Sequence, residues 1–245
     1  MTKKVLAPVP FVSRFQMEAI FKIMNEKYSI DSIQMMENAG RTLAHLASML
    51  FLENKPEFKK ILILTGTGGN GAGVLTAARY LHNHGAQITV FTTREPEQLS
   101  PETARQLEAL IAMNCRVIHG MPELAFYEHF DLIIDGILGC NINGEPYGWA
   151  KTFIEMVTET EVPVLSFDIP SGIDPDKGMI YPKYIKPTAT MTIGLPKSSF
   201  AIPETRDILG RLFVADIGIP PDLFKQYFPD IDTTGLFSLS EIIEI

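Results

Sequence analysis

Hydrophobic residues recur at two different spacings, and the change in spacing divides the chain into two regions. In the first 55 residues, apolar side chains recur every three or four positions, as on one face of an amphipathic helix. Two capping signals, Ser13 with Gln16 and Asp31 with Gln34, mark the starts of two predicted helices. We expect the methionines of these helices to pack in the core rather than to act as ligands.

From Lys60 onward, short apolar runs alternate with helical stretches. Seven runs are predicted strands: 60–65, 87–93, 115–119, 131–137, 163–169, 189–194 and 211–216. Helices are predicted over about 71–84, 102–113 and 148–159, and no convincing helix is predicted between the last two strands. Nearly continuous apolar runs are typical of strands buried on both faces of a parallel sheet. The alternation with helices predicts an α/β protein with a mostly parallel, doubly wound sheet.

Composition and charge narrow the class of protein. The chain has 245 residues, of which 46% are hydrophobic and 20% charged, so we expect one globular domain rather than a disordered chain. Its net charge of −8 argues against a duplex nucleic-acid binder. No run approaches the roughly 20 apolar residues of a membrane span. Two cysteines without metal-type spacing argue against a secreted disulfide scaffold, so a cytoplasmic protein is expected.

A glycine-rich turn follows the first of the predicted strands. The nine residues from Thr65 to Gly73 contain five glycines and lead directly into a predicted helix. Glycines permit positive φ angles and close backbone approach, and the start of a helix offers free N–H groups to a phosphate. The turn lacks the lysine of a P-loop, which argues against triphosphate hydrolysis. A tight turn without any ligand remains the alternative.

Two further strands end in carboxylates. Asp135 lies near the end of the run 131–137, and Asp168 near the end of 163–169, where Pro170 and Ser171 follow. Because ligands bind at the carboxyl ends of parallel strands, we expect these residues to share one site. Oxygen ligands from Asp135, Ser171 and an asparagine would suit an alkali or alkaline-earth cation. Separate structural roles for the two aspartates remain the alternative.

Several motifs in this order resemble the NAD(P)H-hydrate epimerases, the YjeF N-terminal domain family. They are Met36–Gly40, Gly66–Gly73 followed by Ala77-Ala78-Arg79, Asp135 with Gly139, Asp168–Gly172, Pro196-Lys197 and Asp216–Pro220. The likeness extends over about residues 11–224. It implies a three-layer αβα, Rossmann-like fold that usually forms a homodimer. We expect one such domain over residues 1–245, with any companion dehydratase on a separate chain.

The resemblance also implies an activity and a site. Such proteins interconvert the R and S epimers of hydrated NADH and NADPH, so that a dehydratase that accepts one epimer can repair both. The resemblance implies a potassium ion held by Asn70, Asp135 and Ser171. From its placement, Asp168 is our candidate for the catalytic acid–base group. The implied substrate-binding residues are Gly69, Asn70, Gly71, Ala72, Gly73, Gly139, Cys140, Asn141, Ile142, Asn143, Gly144, Glu145 and Asp168.

The chain also departs from the family pattern. The family's loop Asn-Asn-Gly-Gly-Asp stands here as residues 69–73, Gly-Asn-Gly-Ala-Gly, so the first asparagine and the carboxylate are absent. Phe21 stands where an aspartate is common in the first helix. Two alternatives stay open, the first because of these departures and the second because of the glycine-rich turn alone. One is a nucleotide-binding or scaffold protein without catalysis. The other is an unrelated transferase with an adenosyl cofactor, for which only Glu95 offers the acidic residue needed after the strand 87–93.

Overall fold

The fold is built around one large β-sheet. The structure is a computed structural model that describes residues 3–4, 9–120 and 129–245. Within these ranges the sheet has nine strands: β1 Lys3–Lys4, β2 Lys60–Thr65, β3 Gln87–Thr92, β4 Arg116–His119, β5 Leu132–Gly136, β6 Val164–Phe167, β7 Ala189–Ile193, β8 Arg211–Ala215 and β9 Ile242–Glu244. Their spatial order is β1-β9-β8-β7-β6-β5-β2-β3-β4. All neighbouring pairs are parallel except β8 with β9.

Helices cover both faces of this sheet. The α-helices of the described residues are α1 Arg14–Tyr28, α2 Ser32–Phe51, α3 Gly69–Asn83, α4 Pro101–Ala112, α5 Gly148–Thr158, α6 Pro203–Arg206 and α7 Pro221–Tyr227. Side chains alternate between the two faces along each strand. In β2, Ile61 and Ile63 belong to the hydrophobic cluster that contains residues of α1 to α4 and α7, whereas Leu62 and Leu64 belong to the cluster that contains residues of α5. The predicted three-layer αβα, Rossmann-like arrangement is therefore confirmed.

The structure adds elements that the sequence pattern did not predict. Strands β1 and β9 have two and three residues, too few for a hydrophobic period to be recognised. Helix α6, of four residues, lies between β7 and β8, where no helix was predicted, and α7 has only seven residues. Both helices begin at a proline, which suits the first turn of a helix but is common in loops as well.

The order of the strands reverses between β2 and β5. From β2 the chain moves outward to β3 and β4, and from β5 it moves in the opposite direction to β6, β7 and β8. The connections that leave the carboxyl ends of β2 and β5 therefore diverge and leave a crevice between them. Ligands of open α/β sheets bind at such a switch point.

A short backbone pairing joins the segment before α1 to the segment after β7. The Val12 N–H donates to the Pro196 carbonyl at 2.9 Å, and the Ser198 N–H donates to the Val12 carbonyl at 2.8 Å. These two bonds bracket Lys197, which forms a parallel bridge with Val12. The entry to α1 is thereby fixed to the carboxyl edge of the sheet.

The predicted capping box at the start of α1 is present. Ser13 Oγ accepts from the Gln16 N–H at 3.2 Å, and Gln16 Oε1 accepts from the Ser13 N–H at 2.8 Å. We expect Ser13→Ala to lower the free energy of unfolding by about 1 kcal/mol, because one helix N–H loses its acceptor. Urea denaturation measures this change. Ser13→Asp keeps an acceptor and is the control; an equal loss in both variants would contradict a capping role.

Candidate active site

A cavity of about 380 Å³, here called the main cavity, lies at the switch point. Its volume is in the range of small-molecule sites. Its walls come from α1, α2, the turn after β2, the segment after β5 and the ends of β6 and β7: Arg14, Met17, Glu18, Phe21, Ser32, Met35, Met36, Ala39, Thr67–Gly71, Ile137–Ile142, Phe167, Asp168 and Ile193. A side cavity of about 250 Å³ adjoins it and is lined by Thr67, Thr93, Arg94, Ile137, Leu138, Asn141–Tyr147, Trp149 and Ala150.

Most of the predicted substrate-binding residues line these two cavities. Those in the main cavity are Gly69, Asn70, Gly71, Gly139, Cys140, Asn141, Ile142 and Asp168. Those in the side cavity are Asn141, Ile142, Asn143, Gly144 and Glu145. Ala72 and Gly73 are buried inside α3 and line neither cavity. Glu95, the acidic residue that an adenosyl cofactor would need, is exposed and also lines neither.

The glycine-rich turn is shaped by close packing of two loops. A Cβ at Gly66 would overlap the carbonyl of Ile137, and a Cβ at Gly139 would lie 2.5 Å from Cγ of Asn70. None of the glycines between Gly66 and Gly73 has a positive φ angle. Of the two expected reasons, close approach therefore applies to Gly66, Gly71 and Gly73, whereas an added Cβ would meet nothing within 4 Å at Gly68 and only the end of Met36 at Gly69. Gly68 caps α3 without a side-chain bond, which leaves the first N–H groups of the helix available to a ligand.

The position of the missing loop carboxylate is closed by an aromatic ring. A Cβ placed on Gly73 would lie 2.6 Å from Cζ of Phe167, which is itself buried. Phe21, where the family commonly has an aspartate, lines the main cavity. Phe21 and the Phe167 ring that closes position 73 therefore contribute apolar surface to the main cavity, whereas Gly73 itself lines neither cavity.

Asp135 lies below the cavity at the centre of a buried polar network. Its Oδ1 accepts from Ser171 Oγ at 2.6 Å and from the Ile137 N–H at 3.2 Å. Its Oδ2 accepts from Ser166 Oγ at 2.8 Å and from the Ser171 N–H at 3.0 Å. Burial raises the pKa of Asp135 above its usual range, although the hydrogen bonds to its oxygens oppose this effect.

Asn70 joins this network through the backbone of Leu138. Asn70 Nδ2 donates to the carbonyls of Leu138 at 3.2 Å and Phe167 at 2.9 Å, and the Leu138 N–H donates to Ser171 Oγ at 2.9 Å. The three residues predicted to hold a cation are thus brought into one cluster. Asn70, however, directs its amide N–H groups rather than its oxygen toward the two carbonyls.

Asp168 follows β6 in the left-handed region, with a φ angle of 62°. Such a conformation is uncommon for a residue other than glycine and often marks a functional position. Its Oδ1 accepts from Lys197 Nζ at 2.6 Å, Thr192 Oγ1 at 3.0 Å and the Ile193 N–H at 3.2 Å. Among the described residues, its Oδ2 accepts one weak bond, from Cys140 Sγ at 3.4 Å. Oδ2 is therefore the oxygen that remains available to a ligand in the main cavity.

Some residues of the site were not among the predicted functional residues. The sequence distinguishes Lys197 only as part of the Pro196-Lys197 motif, which follows a predicted buried strand. Arg14 and Glu18 line the main cavity from α1, where Arg14 Nη1 donates to the Cys140 carbonyl at 3.3 Å. Arg14 and Glu18 are four residues apart, as polar pairs on exposed helix faces commonly are. This spacing alone therefore does not indicate that they line a cavity.

The thiol of Cys140 is expected to resist alkylation. Burial, together with the neighbouring Asp168 carboxylate, raises the pKa of the Cys140 thiol well above its usual range. Because the thiolate is the reactive form, iodoacetamide at pH 8 should modify Cys140 at least about tenfold more slowly in the folded protein than in urea. Mass spectrometry of the two cysteine peptides measures both rates. Equal rates in the folded and unfolded chains would contradict this burial.

A doubly wound sheet with a cavity at its switch point defines a Rossmann-like α/β protein whose cavity lies where such sheets bind small ligands. The sequence profile of the family described as YjeF-related protein N-terminus matches residues 32–199, and the chain belongs to this family. It is 36% identical to the NAD(P)H-hydrate epimerase of Dehalogenimonas lykanthroporepellens, over 79% of this chain and 76% of that protein. It is 31% identical to the NAD(P)H-hydrate epimerase of Nitrosopumilus maritimus, over 84% of this chain and 95% of that protein.

Longer relatives match as well. The bifunctional NAD(P)H-hydrate repair enzyme of Moorella thermoacetica is 31% identical over 89% of this chain, and the match spans 42% of that protein. The crystal structure of the yeast protein YNL200c superposes with a TM-score of 0.81 at 22% identity, over 97% of this chain and 100% of that one, which confirms the fold. No helix among the described residues is both long and apolar enough to span a membrane.

Proposed function

We propose that this protein is an NAD(P)H-hydrate epimerase, which interconverts the R and S epimers of hydrated NADH and NADPH. The observation that carries the proposal is its similarity to proteins of that name, which extends over 76% and 95% of their lengths. The geometry supports it, since Asp168 lines a cavity at the switch point and its Oδ2 accepts a weak bond from Cys140 Sγ at 3.4 Å.

The reaction inverts one carbon that carries a hydroxyl group and the ring nitrogen, and it transfers no electrons. In one route, an acid protonates the hydroxyl, which leaves as water while the nitrogen lone pair forms a C=N bond; water then adds to the other face and returns the proton. In a second route, a base takes the hydroxyl proton, the oxygen forms a C=O bond and the C–N bond breaks. The nitrogen then closes on the other face and the oxygen regains the proton. Both routes need one positioned acid–base group, for which Asp168 is the candidate.

The two cavities suit the two halves of a dinucleotide. Gly69 and Gly71 line the main cavity at the start of α3, where free N–H groups and the helix dipole favour a phosphate. The segment Gly139–Glu145 runs from the main cavity into the side cavity. We therefore place the hydrated ring beside Asp168 and the remainder of the nucleotide along this segment.

A coupled assay tests the activity. The purified protein is mixed with the epimer that a dehydratase does not accept, together with a dehydratase that consumes the other epimer. Epimerase activity accelerates consumption above the spontaneous rate, in proportion to the enzyme concentration. A rate of consumption that stays at the spontaneous rate even at high enzyme concentration would contradict the proposal. Thermal stabilisation by the nucleotides without turnover would instead support the non-catalytic alternative.

We also propose that Asn70, Asp135 and Ser171 hold a potassium ion. The ligands that this cluster can offer a cation are oxygen atoms, and one residue among them, Asp135, is a carboxylate. Such a set suits an alkali cation rather than zinc. Asn70 fits only if its amide turns over, because its nitrogen now donates to the carbonyls of Leu138 and Phe167. A bound cation would supply the positive charge that the buried Asp135 lacks.

Thermal unfolding tests the ion without an activity measurement. Potassium chloride should raise the melting temperature above that in choline chloride at equal ionic strength, because the folded state alone binds the ion. Asp135→Asn should abolish the difference between the two salts. The same melting temperature in both salts for the unaltered protein would contradict a potassium site.

The remaining proposals concern assembly and location. We propose a homodimer in the cytoplasm that works with a companion dehydratase, as the family resemblance implies. The net charge of −8 supports a protein that does not bind nucleic acid. Sedimentation at micromolar concentration tests the dimer: a species at the 27.3 kDa of a single chain, rather than twice that mass, would contradict it.

A further inference from the structure

We infer that Lys197 is a positioning residue that holds Asp168 as a carboxylate and leaves only Oδ2 to the substrate, so that Asp168 acts as a base and opens the ring. This inference rests on the proposed epimerase function and selects the second of its two routes. It concerns a residue for which the family resemblance implies no role.

The contacts of Lys197 are those of a charged ammonium group. Lys197 is fully buried, and its Nζ lies 2.6 Å from Asp168 Oδ1, 3.2 Å from Thr192 Oγ1 and 3.4 Å from the Leu195 carbonyl. An ammonium group has three N–H donors, and here each finds an acceptor. A buried ammonium group is strongly destabilising without an opposite charge beside it. The pair therefore exists as an ammonium and a carboxylate.

The two oxygens of Asp168 are left in different states. Oδ1 is surrounded by three donors, from Lys197, Thr192 and the Ile193 N–H, which leaves it no role toward a ligand. Within the part of the chain that the structure describes, Oδ2 accepts a bond from the Cys140 thiol alone, and both residues line the main cavity. A carboxylate presented in this way has a free oxygen that can accept a proton but carries none that it can donate.

The backbone holds both partners of the pair in place. Lys197 is bracketed by the two hydrogen bonds between Val12 and the residues on either side of it, at 2.9 and 2.8 Å. The Asp168 N–H donates to the Met191 carbonyl in β7 at 2.7 Å, which fixes its left-handed backbone. Because neither partner needs to move, the geometry of the base exists before substrate binds.

Because Asp168 carries no proton, the reaction begins when Asp168 removes the proton of the substrate hydroxyl, not when it protonates that hydroxyl. Asp168 Oδ2 takes the proton of the substrate hydroxyl, the O–H electron pair forms the C=O bond, and the C–N pair moves to the ring nitrogen. After rotation the nitrogen attacks the other face, and the oxygen recovers its proton from Asp168. Atoms and electrons balance without a co-reactant. The carbon keeps its original oxygen throughout, whereas loss and return of water would exchange it.

Oxygen labelling tests the route. With the wild-type enzyme in H2(18)O, mass spectrometry of the hydrated nucleotide should show solvent oxygen in fewer than one-tenth of turnovers, after subtraction of an enzyme-free control. One solvent oxygen per turnover would overturn the assignment of Asp168 as a base. A wild-type enzyme without any epimerase activity would overturn the proposed function itself, and the two failures are therefore distinguishable.

Substitutions test the role of Lys197. We expect Lys197→Met to lower kcat by about 100-fold, since the base loses its position and charge partner, while KM changes by less than about threefold. Lys183→Met is the matched control, because Lys183 pairs with Glu155 at 2.9 Å on the surface, and its kcat should equal that of the wild type. A kcat of Lys197→Met within threefold of the wild type, or a change in KM alone, would overturn the inference.

A second variant covers the case in which Lys197→Met does not fold. Thr192→Val keeps the shape of the side chain but removes the donor to Asp168 Oδ1, and kcat should fall about tenfold at an unchanged KM.

The double variant Lys197→Met/Asp168→Asn removes both buried charges, so its melting temperature should exceed that of Lys197→Met while kcat stays low. An unchanged kcat in Thr192→Val, or an active double variant, would overturn the inference.

Discussion

Asp168→Asn is expected to lower kcat for epimerisation by about 1,000-fold while the protein stays folded. The amide has the shape of the carboxylate, and asparagine tolerates the left-handed backbone that Asp168 adopts at a φ angle of 62°. It cannot take a proton from the substrate, however, and it leaves the buried Lys197 without its counter-charge. The coupled epimerase assay measures kcat, and thermal unfolding shows that the variant is folded.

Asp131→Asn is the matched control for this variant. Asp131 also belongs to an ion pair with a lysine, since Lys59 Nζ lies 3.2 Å from its Oδ1, and it accepts the Lys60 N–H at 2.8 Å. It precedes β5, at the edge of the sheet opposite the main cavity. We expect Asp131→Asn to keep its kcat. If, by contrast, Asp168→Asn keeps more than one-tenth of the wild-type kcat, a group other than Asp168 transfers the proton.

Gly73→Asp is expected to destabilise the protein by about 3 kcal/mol rather than to restore a family carboxylate. Its Cβ would lie 2.6 Å from Cζ of Phe167, and the charged group would enter a buried part of α3. Urea denaturation measures the free energy of unfolding. Unfolding at the same urea concentration as the wild type would contradict the packing described here.

A smaller residue at position 167 should relieve part of this cost. In Gly73→Asp/Phe167→Val, the aspartate has room, so the double variant should be more stable than the sum of the two single changes predicts. Gly69→Ala is the matched control in the same turn, because its Cβ would meet only the end of Met36, at 3.4 Å. Its free energy of unfolding should stay within about 0.5 kcal/mol of the wild type.

The parts of the fold with a strong local period were predictable from the sequence. The apolar run 60–65 and the alternating helices sufficed for a parallel α/β sheet, and Asp135 and Asp168 were placed at its carboxyl edge. Strand β9 was missed because three residues carry no period. The resemblance supplied the substrate segment Gly139–Glu145, which the structure does place along the two cavities.

Contacts between residues that are far apart along the chain could not be predicted from the sequence. The order of the strands brings Lys197 beside Asp168, and no spacing along the chain expresses a separation of 29 residues. In the same way, Gly73 by itself indicated only that a side chain was missing. Only the packing of α3 against β6 in the folded protein places the Phe167 ring in that space.

The pairing of Val12 with the residues around Lys197 has a consequence for the extent of the functional unit. The family profile matches residues 32–199, yet α1 and Val12 precede that stretch and β8, which pairs with β7, follows it. A polypeptide trimmed to the matched residues would lose α1, which contributes one wall of the main cavity, and the two Val12 hydrogen bonds on either side of Lys197, the lysine that we infer positions Asp168. A unit that keeps this wall, these hydrogen bonds and the partner strand of β7 therefore begins at or before Val12 and continues at least to Ala215.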